Sequence, residues 1–169
     1  MKLRSAFFAF VLLLLTVTVC AAQSSMGFSP YEFYEDFSLI NSILEGPECS
    51  YIPIDEENGD VIDVSDSINF NLIYSGDDLT DIYLFFNIAT DDEDSWNTVV
   101  KMICVTFYTL AYKAEGHFDT IDFEEISDII HNLATTAVPT DYNGYHFEFG
   151  IEEKDSIMGL LWVTKSDNA

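Results

Sequence analysis

The chain reads as an α+β domain in which about three helices pack on an antiparallel sheet of about four strands. Three features predict this. Two pairs of segments with alternating apolar residues flank short turns, as hairpins do; three segments carry apolar residues at helical spacing behind capping residues; and helices and strands come in blocks instead of alternating singly.

The first helix opens at Ser29-Pro30-Tyr31-Glu32, where Ser29 can cap the free amides, Pro30 suits the first turn and Glu32 completes a capping box. Phe33, Phe37, Ile40 and Leu44 then recur on one face until Gly46-Pro47 stops the helix. Residues 55 to 66 mix turn formers with acids and read as a loop, with a short strand around Val61 at most. An antiparallel hairpin follows. Ile68, Phe70, Leu72 and Tyr74 share one face of its first strand, Ser75-Gly76-Asp77-Asp78 turns the chain, and Ile82, Leu84, Phe86 and Ile88 share one face of the second. Tyr83 and Phe85 fall on the opposite face, which predicts at least partial cover there.

Asp91-Asp92-Glu93-Asp94-Ser95 precedes a helix of about residues 95 to 113, with Trp96, Val99, Val100, Ile103, Cys104, Phe107, Leu110 and Ala111 on a wide stripe. Lys101, Asn97 and several threonines make it a buried central helix in preference to a membrane span. A third helix starts at Asp122, with Glu125 in capping-box position and Phe123, Ile126, Ile129, Ile130 and Leu133 as its core face, and ends before Pro139. After the turn at Asn143-Gly144, Tyr145, Phe147, Phe149 and Ile151 alternate with His146, Glu148 and Glu152. Glu153-Lys154-Asp155 then leads into Ile157 to Thr164. The expected strands thus lie near 68 to 74, 81 to 89, 145 to 152 and 156 to 164.

Residues 1–22 read as a signal peptide that is removed, leaving residues 23–169 as a single acidic α+β domain. Lys2 and Arg4 start it, Ala6 to Val19 is apolar apart from Thr16 and Thr18, and Val19-Cys20-Ala21-Ala22 supplies small residues for cleavage. The apolar run is shorter than the roughly 20 residues that cross a bilayer, which argues against a retained anchor. A secreted or otherwise extracytoplasmic location follows, without integral membrane association once the segment is gone.

With 30 acids against six Lys and Arg, the formal charge is −24, and loss of Lys2 and Arg4 makes it more negative still. Nucleic acids and anionic lipid surfaces need clustered cations, so neither is an expected partner. A protein or another exported macromolecule fits better. At 49% hydrophobic residues the chain is too apolar for disorder.

Once Cys20 is removed, Cys49 and Cys104 are the remaining pair. A disulfide between them would contribute about 4 kcal/mol in the chain-entropy picture; the alternative is that Cys104 is simply a small buried side chain. No cysteine and histidine spacing suggests zinc.

Asp91, Asp92, Glu93 and Asp94, with Asp77 and Asp78 from the preceding turn, could offer calcium its oxygen ligands. Acids before a helix also cap its amides and oppose its dipole, which is the plainer account. His146 beside Glu148, and His117 two residues from Asp119, could move a proton or bind a metal. His131 reads as a boundary residue on the third helix. No Gly-x-Ser-x-Gly, His-Glu-x-x-His or phosphate-cradling loop occurs. The sequence therefore favours a non-enzymatic binding domain of unknown ligand and no cofactor. The alternative is a small hydrolase or metal-dependent enzyme using carboxylates with His146 or His117.

Overall fold

The computed structural model describes residues 24–55, 59–117 and 121–166. In chain order these form α1 (Pro30–Ile43), β1 (Ser50–Ile52), β2 (Asp60–Ser65), β3 (Ile68–Ser75), β4 (Asp78–Ile88), α2 (Glu93–Glu115), α3 (Phe123–Thr136), β5 (Thr140–Tyr142), β6 (Tyr145–Glu153) and β7 (Ile157–Lys165). The segment read as a signal peptide lies outside the described residues.

The first and third helices carry the expected N-caps, with the reciprocal capping box shown at α1. Ser29 accepts from the Glu32 amide at 3.2 Å while the Glu32 carboxylate accepts from the Ser29 amide at 2.7 Å, so α1 opens on a complete capping box. Asp122 caps α3 by accepting from the amides of Glu124 and Glu125.

The strands form one antiparallel sheet in the order β1-β2-β3-β4-β7-β6-β5. Both expected hairpins are present, β3 with β4 and β6 with β7, and they join through β4 and β7. The sheet has seven strands, however, where about four were expected. β2 was obscured by its acids: of Asp60-Val-Ile-Asp-Val-Ser, Ile62 alone is a buried apolar residue, and pairing with β3 holds the strand in place. β1 and β5 are three-residue edge strands, too short for alternation to declare them. The Asn143-Gly144 turn did carry a signal for β5. Both residues have positive φ, 49° and 79°, as a two-residue type I′ hairpin demands, and that turn joins Tyr142 directly to Tyr145.

One face of the sheet carries the core. Ile68, Phe70, Leu72, Ile82, Leu84, Phe86, Phe147, Leu161 and Val163 are at most 3% exposed, beneath the three helices. α2 is the central element: Phe107 stacks on Phe147 at 3.9 Å, and Met102, Val105, Thr106 and Thr109 are buried along with Val99, Ile103, Phe107, Leu110 and Ala111 of the expected stripe. Thr106 and Thr109 satisfy their hydroxyls by donating to the carbonyls of Met102 and Val105. No described helix is long and apolar enough to cross a membrane.

Three details of the expected core differ. Val100 is 38%, Ile151 46% and Phe123 54% exposed, burial along β6 ending at Phe149. α3 buries Ile126 and Leu133 and packs Ile129 and Ile130, partly buried, against the core, while Phe123 rests on the Tyr108 ring at 5.0 Å.

Candidate functional site

Side chains alternate along a strand, so the residues between the core positions share the opposite, outward face of the sheet. The register sets them out in four rungs across β4, β7 and β6. They are Asp81–Thr164–His146, Tyr83–Trp162–Glu148, Phe85–Leu160–Gly150 and Asn87–Met158–Glu152. Asn69, Asn71 and Ile73 of β3 extend the face on one side, and Asp141 of β5, opposite His146, on the other.

An aromatic and aliphatic patch runs through the middle. Tyr83 is bracketed by Trp162, at 6.1 Å with 7° between the ring planes, and by Phe85 at 6.0 Å. The cover expected over Tyr83 and Phe85 therefore comes sideways, from neighbours in the same layer: Tyr83 is buried, while Phe85, Leu160, Met158 and Trp162 remain half-buried. Trp162 donates from its indole nitrogen to Asp81 at 2.8 Å, which fixes the ring in its own layer. Burial raises the Asp81 carboxyl above the usual range, partly opposed by hydrogen bonds from Trp162 and Thr80. Burial likewise raises the Tyr83 phenol.

The rim is acidic. Asp63, Asp141, Glu148 and Glu152 occupy outward positions, and among the described residues no lysine or arginine does; Lys165 points the other way, over the Tyr145 ring at 4.7 Å, and Lys154 lies in the β6–β7 turn.

His146, singled out from the sequence with Glu148, is held between two carboxylates. Nδ1 lies 2.6 Å from Asp141 and Nε2 3.3 Å from Glu148. Burial on its own lowers the imidazole pKa, but the hydrogen bonds and charges of Asp141 and Glu148 outweigh it and the net shift is upward. Both ring nitrogens are engaged, an arrangement that suits an imidazolium and presents neither nitrogen to a substrate.

The other sequence candidates lie apart from this face. Asp92 is the N-cap of α2, accepting from the Ser95 amide at 3.0 Å, which lowers its pKa; Glu93 and Asp94 fill the first turn, and all four acids from Asp91 to Asp94 are exposed. Among the described residues no group of three or more His, Cys, Asp or Glu side chains is arranged to hold a metal ion. His117 is exposed beyond the end of α2, and Asp119 lies outside the described residues. Cys49 and Cys104 are free thiols, both half-buried; burial pushes the Cys49 thiol up to about 11 and raises that of Cys104.

A second polar cluster closes the other end of the sheet. The Asp60 carboxylate, 6% exposed, accepts from the Tyr51 hydroxyl, from the Ile54 amide at 2.9 Å and from the Tyr74 hydroxyl at 3.5 Å. Tyr31, Tyr34 and Tyr51 pack together above it, and Tyr31 is 53% exposed, in line with its place at the start of α1. A carboxylate so fully engaged ties Tyr51 of β1 and the Ile54 backbone to β2 and β3.

Sequence reading missed Asp81, Trp162, Leu160, Gly150 and Asp141 as a group, because only the order β4-β7-β6-β5 brings them together. No family model matches the chain, and no curated protein and no solved structure matches it.

Proposed function

We propose that this chain is an exported, non-enzymatic binding domain whose contact surface is the outward face of the sheet. One observation carries the reading. The three helices bury one face, while the other keeps Phe85, Met158, Leu160 and Trp162 half-exposed on three consecutive rungs inside an acidic rim. A contiguous apolar patch bounded by polar groups is what binding surfaces present, and a strand face holds such groups in rigid register. The net charge of −24 acts at longer range, favouring cationic partners and discouraging anionic ones.

The test is a screen of the mature domain against peptide and glycan arrays beside a Phe85→Ser/Leu160→Ser variant. Hits that bind the parent and weaken by about tenfold in the folded variant support the reading, since tenfold corresponds to about 1.4 kcal/mol of contact. Hits indifferent to both substitutions would place the contact surface elsewhere.

A further inference from the structure

Gly150 stands in the middle of β6, on the outward face, with no local reason to be glycine. Its φ is not left-handed, the β6–β7 register runs through it without a shift, and a Cβ added there meets nothing within 4 Å. Gly159, on the neighbouring strand, is the contrast: a Cβ there falls 2.1 Å from the Phe86 ring, so core packing requires its absence. Glycine in a strand interior weakens the strand, and besides bulges and bends the recurring setting for it is close approach by a ligand or another backbone.

The surroundings of the notch give the chemistry of that molecule. Glu148 and Glu152 lie two residues away on either side along the same face, each about 6.6 Å along the strand. Leu160 is directly opposite across the ladder, and Trp162 pairs with Glu148 on the next rung. Apolar floor, two flanking carboxylates and an aromatic ring nearby match a side chain with an aliphatic stem and a cationic head.

Resting on the binding-surface reading above, we propose that Gly150 keeps open a seat for a lysine or arginine side chain of a polypeptide partner. The stem lies on Leu160 and the charged head sits between Glu148 and Glu152. Glu148 also contacts His146 through one oxygen, which leaves its other oxygen for the guest.

The probe is a blocked hexapeptide of alternating arginine and leucine, with a glutamate and leucine counterpart at matched ionic strength. Trp96, which packs on Phe86, is changed to Phe so that Trp162 alone reports by its emission. The arginine peptide should give a saturable change. Gly150→Val should weaken it by about tenfold or more by filling the notch, while its thermal midpoint stays level or rises, because a β-branched residue suits a strand better than glycine. Glu148→Gln/Glu152→Gln should weaken it by about fivefold, and Glu35→Gln/Asp128→Asn, exposed acids on α1 and α3, by less than about twofold.

Equal affinity for Gly150→Val and the parent overturns the proposal. So does an equal loss in the control pair, which would mean net-charge attraction alone. If Trp162 responds to a neutral glycan but not to the arginine peptide, the notch proposal falls and the binding-surface reading stands. Silence toward every probe, with no array hit sensitive to Phe85→Ser/Leu160→Ser, defeats both.

Discussion

The two faces of the sheet carry similar side chains under different conditions. Phe70, Phe86 and Phe147 on the inner face are at most 3% exposed under the helices, and each meets a helix ring from above: Phe37, Trp96 and Phe107 respectively. Tyr83, Phe85 and Trp162 on the outward face stack chiefly on one another within their own layer, and Phe85 and Trp162 keep part of their surface accessible. Aromatic content alone thus does not distinguish core from surface in this chain. Strand parity and the side on which the helices dock do, because burial from above removes far more apolar area than contact from the side.

The largest expected difference between the faces comes from truncating matched rings. Phe147→Ala should cost about 3–5 kcal/mol, as for a fully buried ring whose cavity cannot collapse. Phe85→Ala should cost about 1 kcal/mol, since a half-exposed ring surrenders less area. Urea unfolding of both variants measures this, and equal losses would break the distinction.

The two strand glycines sharpen it. Gly159→Ala drives a methyl into the Phe86 ring, which is buried and has little room to move, and should destabilise by about 1–3 kcal/mol. Gly150→Ala meets open space and should leave stability unchanged within about 0.5 kcal/mol or raise it slightly. The same unfolding curves decide.

Smaller effects appear as pH dependence on the outward face. Asp81 has a raised pKa when folded, so the fold favours its neutral form. Its contribution is full below the unfolded value of about 3.9 and diminishes as pH rises through the folded pKa. The thermal midpoint of Asp81→Asn should therefore gain on the parent between pH 4 and 7. His146 also has a raised pKa, but its favoured form is the charged one. Its contribution is present below about pH 6.5 and lost as pH rises through the folded value, so His146→Gln should be most costly under mildly acid conditions and nearly neutral above them. A flat difference across pH for either variant contradicts the assigned environment.

Much of the layer was legible in the sequence because its signals are local. Ser29 with Glu32, Asp122 before α3, and the alternation of Tyr145, Phe147 and Phe149 each declare themselves within a few residues. β1 and β5 did not, and β2 showed only as a short strand around Val61, because they are held by pairing with a neighbour and carry little apolar periodicity of their own. The candidate surface was legible only in fragments. Tyr83 and Phe85 stood out on their strand, but Trp162 and Glu148 join them through the pairing of β4 with β7 and of β7 with β6, partners 60 or more residues apart in the first case, and no local pattern encodes that order. Gly150 carried no signal because its meaning lies in what is missing around it.

Thermal midpoints of single alanine variants along β7 test most directly whether the outward face stands free of the core. Leu161→Ala and Val163→Ala, both fully buried, should lower the midpoint by about 6 °C or more, and Met158→Ala and Leu160→Ala by less than about 3 °C, at roughly 2–4 °C per kcal/mol for a domain of this size. A drop for Leu160→Ala as large as that for Leu161→Ala would mean that the outward face is packed as core, and the binding surface assigned to it would have to be abandoned.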